Sequence, residues 1–263
     1  MENNLKVAVI GSNGFVGSSL CRLLSKKSNV ELYAINRSNF YEFIDIEFDV
    51  LIEAACNSKK YLAEENPAKE AELSILHRIR SLTEFKAKFH IHLSSVDVYD
   101  NLADPVRTQE DANINISKCS HYGAHKLVSE VLVKHYAPNW LIFRLSGMVG
   151  DGLRKNPIYD IMHGRPIFIH PNSRYQFCNT DFVAKAIWDI FKLGISDDIF
   201  NIAGKGTISP EEIYQLYGHE TGTKVQYEGS DVPRVVDINT TKLESLLPLQ
   251  ETVKVVTQFI TKK

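Results

Sequence analysis

The sequence predicts an α/β fold in which helices cover both faces of a doubly wound parallel sheet, with a smaller lobe toward the carboxyl end. Three observations lead to this prediction. Short apolar runs alternate with amphipathic segments from Val7 to about Ala103, a glycine-rich turn follows the first run, and the alternation loosens after Gly150. Successive strand–helix–strand units require right-handed crossovers, and they therefore predict parallel strands.

Each strand is predicted from a short apolar run, and each helix from apolar residues that recur every three to four positions. The predicted strands are Lys6–Ile10, Glu31–Ile35, Phe48–Ala54, Phe89–Leu93, Trp140–Leu145 and Ile199–Ile202. The predicted helices are Phe15–Ser25, Pro67–Phe85, Ser117–His135, Asp181–Leu193, one that follows Ser209 as its N-cap, and a final helix. Proline at the start of the second helix and after Ser209 suits a first helical turn.

Composition argues against several classes of protein. The chain has 263 residues, of which 44% are hydrophobic and 24% charged, and this is typical of a soluble globular protein. The net charge of −2 offers no basic surface for a nucleic acid or an anionic membrane. We find neither a signal-peptide pattern nor an apolar stretch of the ~20 residues that a membrane span needs. The four cysteines are far apart in sequence, which predicts the reduced thiols of a cytoplasmic enzyme.

The first predicted strand leads into Gly11-Ser-Asn-Gly14-Phe-Val-Gly17, which has the spacing GxxGxxG. Gly11 can form the tight turn, Gly14 can let the backbone approach a pyrophosphate, and Gly17 can let helix and sheet pack closely. The N–H groups at the start of the helix would then face the phosphates. An ordinary strand-to-helix turn is the alternative. The expected cofactor-binding residues of this turn are Gly11, Asn13, Gly14, Phe15, Val16 and Gly17.

The end of the second predicted strand bears on the choice of cofactor. An acidic residue there would bind the ribose hydroxyls of NAD, whereas an arginine would accept the 2′-phosphate of NADP. This chain has Asn36 followed by Arg37. The pair favours NADP(H) over NAD(H), and a solvated surface arginine is the alternative interpretation.

Tyr122 and Lys126 lie one turn apart on a predicted helix and therefore share a face. An adjacent ammonium and a nicotinamide ring would bring the pKa of the phenol from about 10 toward neutrality. Such a tyrosine can protonate a carbonyl oxygen as a hydride reaches the carbon. Ser94 and Ser95 follow a predicted strand at the carboxyl edge of the sheet, where ligands bind in such folds. Tyrosine and lysine are common on helices, so the pair alone does not indicate an active site. It does so here because it follows the glycine turn and the serines in the expected order.

Together these motifs resemble an extended short-chain dehydrogenase/reductase of the nucleotide-sugar epimerase/dehydratase/reductase type, over nearly the whole chain. The resemblance implies a Rossmann-type sheet, an NAD(P) cofactor, and Ser95, Tyr122 and Lys126 as catalytic residues. It also places Ala54 and Ala55 near the cofactor, together with Tyr122 and Lys126. We expect residues 1–150, rejoined by 176–203, to form the dinucleotide-binding domain. Residues 151–175 and 204–263 are expected to form the substrate-binding lobe.

Two arginines indicate the class of substrate. Arg174 and Arg234 resemble, by their spacing to Asp181 and Asp237, the arginines with which this family holds a nucleotide diphosphate. Guanidinium forks suit a pyrophosphate better than ammonium groups do, although both residues could be ordinary loop arginines. A nucleotide-diphosphate sugar is therefore the expected partner. The expected substrate-binding residues are Ser95, Val96, Asp97, Tyr122, Arg174 and Arg234.

The reaction is inferred from a contrast with the dehydratases of the family, which carry Thr-Asp-Glu where this chain has Ser95, Val96 and Asp97. Val96 cannot donate a proton, which argues against dehydration. Asp97 is open to two interpretations, a second acid/base or a cap of a turn. We expect NADPH-dependent reduction of a nucleotide-diphosphate 4-keto-6-deoxy sugar, in the biosynthesis of a surface-polysaccharide sugar. An NAD-dependent epimerase and a non-catalytic NADP-sensing protein are the alternatives.

The chain departs from the family pattern in three places. The segment between Arg37 and Phe48 is short, so we expect one strand and helix of the usual sheet to be reduced or missing. Gly147 replaces a frequent asparagine, and His121 a common proline. His121 and His125 have a spacing that can bind zinc, but the sequence offers no third ligand, and no metal site is expected. The family resemblance also implies a homodimer formed through paired helices.

Overall fold

The structure, a computed structural model, describes residues 4–221, 227–228 and 231–262. Its strands are β1 (Leu5–Ile10), β2 (Val30–Ile35), β3 (Glu47–Glu53), β4 (Lys86–Ser95), β5 (Trp140–Leu145), β6 (Gly147–Val149), β7 (Phe177–Asn179) and β8 (Asp198–Ile202). Six of them form one sheet in the order β2-β1-β3-β4-β5-β8, and each neighbouring pair is parallel. The predicted α/β fold with a doubly wound parallel sheet is confirmed.

The helices connect these strands and cover the sheet. They are α1 (Phe15–Leu24), α2 (Lys60–Glu65), α3 (Pro67–Ala71), α4 (His77–Glu84), α5 (His121–Tyr136), α6 (Pro157–Met162), α7 (Thr180–Lys192), α8 (Pro210–Thr221), α9 (Thr241–Glu244) and α10 (Thr252–Thr261). A π-helical turn, Glu72–Leu76, joins α3 to α4, so the predicted helix over 67–85 is continuous but not uniform. No described helix is long and apolar enough to cross a membrane.

The predicted helix over 117–135 begins four residues later than expected. Ser120 is its N-cap, since the Ser120 hydroxyl accepts the N–H of Gly123 at 3.1 Å. Residues Ile116–Lys118 form a separate 3₁₀ turn. The cap therefore decides where α5 starts, and it places Tyr122 in the first turn of the helix.

Alternate residues of the central strands face two different cores. Val7 and Val9 of β1 pack with Leu20 of α1 and Ile187 of α7 on one face. Ala8 and Ile10 of the same strand pack on the other face with the aromatic side chains of Phe40, Phe48 and Phe85. Both faces of β1 are therefore buried, which explains why the strand is apolar throughout instead of alternating.

The short segment after β2 contains a 3₁₀ turn, Phe40–Phe43, and no strand. β2 therefore forms the edge of the sheet, as the length of the segment predicted. Phe40 is buried there, and its ring meets that of Phe85 edge-on with centroids 4.9 Å apart. Aromatic packing thus closes the face that a further strand and helix would otherwise cover.

A second apolar core lies outside the main sheet. It joins α6, α8 and α10 through Ile158, Ile213 and Val256, and it includes Val149 of β6 and Phe177 of β7. β6 and β7 form a separate parallel pair. The functional division into a dinucleotide-binding domain and a substrate-binding lobe stays a prediction.

Candidate active site

The carboxyl ends of three adjacent strands bring the predicted site residues together. Because β1, β3 and β4 are neighbours, the glycine turn after β1, the alanines after β3 and the serine that ends β4 share one edge of the sheet. Ligands bind at this edge in open parallel sheets. Segments far apart in sequence therefore meet where the chemistry was expected.

Backbone contacts explain two of the three glycines in the turn. Gly11 has a φ of +85°, and a Cβ there would lie 2.6 Å from the Ala55 nitrogen. A Cβ on Gly17 would overlap the carbonyl oxygen of Gly11. Gly17 therefore lets α1 pack closely against the turn, whereas the sequence predicted close packing against the sheet.

The start of α1 fits a pyrophosphate. Gly14 is its N-cap, and no side chain caps the helix. A Cβ on Gly14 would meet the Gly11 oxygen at 3.0 Å and no other described atom within 4 Å, so its outer side is open. The hydroxyl of Ser12 is buried without a partner in the described part of the chain. Unpaired donors at a helix N-terminus are what a phosphate anion needs.

The other predicted residues of the turn contribute in different ways. Asn13 is exposed, whereas Phe15 and Val16 are half-buried. The Phe15 side chain packs against the second core and the Val16 side chain against the main core. The side chains of Phe15 and Val16 are thus used for packing, so only the backbone N–H groups of these two residues could face a cofactor.

Asn36 and Arg37 stand at the end of β2, beside the glycine turn. The Asn36 side-chain oxygen accepts the backbone N–H of Ser38 at 2.9 Å and its hydroxyl at 2.6 Å, so Asn36 stabilises the turn. Arg37 is exposed and makes no ion pair within the described residues. Its guanidinium is available to an anion, whereas Asn36 is already engaged.

The three predicted catalytic residues converge. Tyr122 and Lys126 are 5% and 1% exposed on α5, and the Lys126 ammonium nitrogen lies 5.6 Å from the centroid of the Tyr122 ring. Ser95, the last residue of β4, lies close enough to the Tyr122 phenol to lower its pKa. A hydroxyl, a phenol and an ammonium are therefore gathered at one point of the sheet edge.

The pKa of Tyr122 depends on its burial and on the groups around it. Burial raises the pKa of the phenol well above its usual value, and the nearby carboxylate of Asp97 raises it further. The proximity of Ser95 opposes this shift without cancelling it. The side chains of the protein therefore favour the protonated phenol, because a buried phenolate would lose its hydration. The expected shift toward neutrality, which depends also on a nicotinamide ring, stays a prediction.

Asp97 is a buried carboxylate with three polar partners. Its Oδ2 atom accepts the Ser95 hydroxyl at 2.9 Å and lies 2.5 Å from the Lys60 ammonium nitrogen. Its Oδ1 atom pairs with the guanidinium of Arg234. Burial by itself raises the pKa of Asp97, but Lys60 and Arg234 outweigh burial and hold it well below its usual value. Asp97 is therefore an anion that orients Ser95, which argues against a role as a proton donor.

Two of the predicted substrate-binding residues have partners of their own within the protein. Val96 is buried in an apolar cluster with Val236 and Ile238, because its side chain has no polar group to offer the site. Arg174 donates to the Thr207 hydroxyl at 2.8 Å and lies 3.4 Å from a Glu212 oxygen. Its guanidinium is half-exposed, and its role toward the substrate stays a prediction.

A pocket of about 340 Å³ opens beside Tyr122. It is lined by Lys60, Tyr61, Glu64, Asp97, Tyr99, Asp100, Leu102, Lys118, Ser120, Tyr122 and Arg234. Sequence reasoning identified only Asp97, Tyr122 and Arg234 among them. Lys60 could have been suspected, since it follows the strand that ends at the two alanines, whereas no local signal marked Tyr99 or Lys118.

The paired histidines have separate partners. His125 contacts the buried carboxylate of Glu70, and His121 lies 3.6 Å from an oxygen of Glu64. Within the described ranges, no three metal-ligating side chains cluster in a way that could hold an ion. Both histidines therefore contact carboxylates of the helices that precede α5.

Comparison with known proteins agrees with this geometry. The chain matches the model of the NAD dependent epimerase/dehydratase family over residues 7–203. It is 22% identical over 241 residues to the bifunctional polymyxin resistance protein ArnA of Wigglesworthia glossinidia brevipalpis. That match covers 73% of this chain but only 37% of the relative, so the chain spans little more than a third of the length of that protein.

Solved structures share the fold across the full length. A UDP-galactose 4-epimerase is 18% identical, with 97% of each chain covered and a TM-score of 0.82. A UDP-glucuronic acid 4-epimerase from Bacillus cereus, solved with UDP-glucuronic acid and NAD, is 18% identical, with 98% of this chain and 99% of that chain covered and a TM-score of 0.80. A dTDP-4-dehydrorhamnose reductase from Clostridium acetobutylicum is 19% identical, with the same coverage and a TM-score of 0.77. With its glycine turn, its tyrosine–lysine helix and a family match over three quarters of its length, the chain belongs to the NAD dependent epimerase/dehydratase family.

Proposed function

We propose that this protein reduces the keto group of a nucleotide-diphosphate 4-keto-6-deoxy sugar with NADPH, in the biosynthesis of a surface-polysaccharide sugar. The observation that carries the proposal is the buried Tyr122 phenol, which lines the same pocket as Lys60 and Arg234. A proton donor and nearby cationic side chains suit reduction of an anionic keto sugar.

The residues divide the chemistry among them. When bound, the dinucleotide supplies the hydride that reaches the keto carbon. Tyr122 gives its proton to the keto oxygen, which Ser95 holds once its hydroxyl turns from Asp97 to the substrate. The Lys126 ammonium then stabilises the phenolate that remains. A ketone, one hydride and one proton become a secondary alcohol.

The protonation state of Tyr122 favours reduction over epimerisation. Burial raises the pKa of its phenol, so the side chains of the protein themselves favour its acid form. Reduction uses an acid at once, whereas an epimerase must first oxidise its substrate and therefore begins with a base. This difference supports the reductase among the two redox reactions of the family.

The cofactor preference rests on the end of β2. The exposed Arg37 guanidinium is available to the 2′-phosphate of NADP, and the engaged amide of Asn36 replaces the acidic residue that would bind the ribose of NAD. Thermal unfolding of the protein with NADP or with NAD tests this preference, since a ligand that binds only the folded state raises the Tm. NADP is expected to raise the Tm more than NAD does.

An NAD-dependent epimerase is the second candidate, and the solved relatives favour it. Two of them are UDP-sugar 4-epimerases, and one of these was solved with NAD bound. Absorbance at the reduced nicotinamide separates the two functions. A reductase consumes one NADPH for each sugar reduced, whereas an epimerase shows no net consumption. A non-catalytic NADP-sensing protein would bind the cofactor and convert neither the keto sugar nor the epimerase substrate. For each of these three functions, a homodimer stays a prediction.

Replacement of Tyr122 by phenylalanine tests the catalytic assignment. Tyr122→Phe is expected to lower kcat at least 100-fold, because proton transfer by a positioned side chain contributes roughly 10²–10⁴-fold. Binding of the dinucleotide, measured by titration calorimetry, should stay within about threefold of wild type, since the ring is retained.

Tyr136→Phe is the matched control, because Tyr136 is an exposed tyrosine at the other end of α5. It is expected to keep wild-type turnover. Retained turnover in Tyr122→Phe would contradict the role assigned to the phenol.

A further inference from the structure

Asp97 holds two cations that come from distant parts of the chain. Lys60 begins α2, after β3, and lies 2.5 Å from Oδ2 of Asp97. Arg234 belongs to the carboxyl-terminal part of the chain and pairs with Oδ1. The Asp97 carboxylate thus lies between two positive groups and binds each of them through a different oxygen.

The cluster has a surplus of positive charge on the pocket side. Lys60 and Arg234 contribute two positive charges, and Asp97, whose low pKa keeps it ionised, contributes one negative charge. Both cations line the pocket beside Tyr122, and their side chains are 52% and 40% exposed. An ammonium has three donors and a guanidinium five, so each has donors left after its bond to Asp97.

The position of the cluster is set by its contact with Ser95. The Ser95 hydroxyl and the Lys60 ammonium bind the same oxygen of Asp97. An anion held by Lys60 therefore lies close to the reacting carbon, at the sugar end of a nucleotide sugar. The phosphate nearest to that end is the one attached to the sugar.

We propose that Lys60 and Arg234 form the clamp for the sugar-proximal phosphate of the substrate, with Asp97 as the residue that positions both. The inference rests on the proposed nucleotide-sugar substrate. It adds Lys60 to Arg174 and Arg234, the two arginines that the family resemblance assigned to the nucleotide diphosphate. The Lys60 ammonium is half-exposed above the buried carboxylate of Asp97. It can therefore form a charge-assisted hydrogen bond to a phosphate in the pocket.

Nucleotides with and without the second phosphate test the clamp. The dissociation constants of UDP and UMP, and of dTDP and dTMP, are measured by calorimetry, and the ratio of monophosphate to diphosphate reports the contact to the sugar-proximal phosphate. Wild type is expected to prefer the diphosphate. Lys60→Met should reduce this preference roughly 10- to 100-fold, the worth of a charged hydrogen bond, while monophosphate binding changes little.

Three variants accompany Lys60→Met. Lys60→Arg keeps the charge and should retain most of the preference for the diphosphate. Lys60→Gln keeps a donor without charge, should behave like Lys60→Met, and serves if the methionine variant does not fold. Lys59→Met removes the same charge from an adjacent exposed lysine outside the pocket, and it should leave the ratio unchanged.

The two proposals fail in different ways. If wild type prefers a diphosphate and folded Lys60→Met and Lys60→Gln keep the same ratio, the clamp is wrong and the nucleotide-sugar substrate stands. An equal loss of monophosphate and diphosphate binding would also overturn the clamp, because Lys60 would then act only through the structure of the site. If wild type binds no nucleoside diphosphate, with GDP, CDP and ADP added to the uridine and thymidine pairs, both proposals are wrong.

Discussion

Single buried side chains fix the wall of the site, and Arg144 is an example. Its guanidinium forms two hydrogen bonds to the Glu130 carboxylate of α5, at 3.0 and 2.8 Å. It also donates to the Tyr99 hydroxyl at 2.9 Å, and Ser94 donates to Glu130 at 2.6 Å. Tyr99 lines the pocket, so this buried ion pair connects the pocket wall to the helix that carries Tyr122.

Replacement of Arg144 by methionine should leave Glu130 buried without a cation. We expect the free energy of unfolding to fall by about 3–5 kcal/mol, measured by urea titration. The double variant Arg144→Met/Glu130→Leu should recover most of this loss, because an apolar pair can replace a buried ion pair. Removal of an exposed partner by Arg22→Met should cost no more than about 1 kcal/mol. A double variant as unstable as the single one would disprove this account.

Nothing in the local sequence predicted the pair. Arg144 lies within a predicted strand and Glu130 on a predicted helix, and each is unremarkable there. They meet because β5 lies beside β4, on which α5 packs through Ser94. Lys60 could not be paired from the sequence for the same reason, since its partner Asp97 is 37 positions away and follows another strand.

Among the elements, the contact between α5 and the turn after β4 decides the geometry of catalysis. Gly123 lies directly after Tyr122, and a Cβ there would overlap the carbonyl oxygen of Asp97. The obstacle is backbone, so it cannot turn aside as a side chain could. Glycine at this position therefore lets Tyr122 approach Ser95.

Gly123→Ala is expected to push α5 away from the turn. A displacement of about 1 Å at catalytic groups can cost on the order of 100-fold in rate, so we expect a loss of that size in kcat/KM, measured at steady state. Ala124→Gly is the control, since it lowers helix propensity by roughly 1 kcal/mol without adding an atom. Wild-type kcat/KM in Gly123→Ala would show that the close approach is not required.

For the whole molecule, stability in acid depends on histidines within the central sheet. His90 and His92 lie on β4 and are buried. Burial, and next the positive charge of Arg78, lower the pKa of His90 to about 4. The same two causes, with Lys126, hold the pKa of His92 well below its usual value. The folded state therefore keeps both rings neutral.

The free energy of unfolding should fall as the pH is lowered from 6.5 to 4. The unfolded chain binds protons at histidine near pH 6.5 and the folded chain does not, so acid favours unfolding in this window. The shift of His90 corresponds to about 3 kcal/mol at the acid end, at 1.36 kcal/mol for each pH unit. His90→Gln should flatten the pH dependence measured by urea titration, and the exposed His135→Gln should not. Equal slopes in wild type and His90→Gln would contradict the assignment.

The sequence by itself determined the features that depend on near neighbours. The six strands, the glycine turn, the missing unit after Arg37 and the pair formed by Tyr122 and Lys126 all follow from local periodicity, turn chemistry or helical spacing. Each can be recognised within about twenty residues, because backbone geometry and hydrophobic patterning act over that range.

Only the tertiary structure decided which charges meet at the sheet edge and how deeply they are buried. It paired Lys60 with Asp97, turned Arg174 to Thr207, and raised the pKa of Tyr122 by removing it from water. Electrostatic energies depend on distance in space and on burial, and neither is a property of position along the chain.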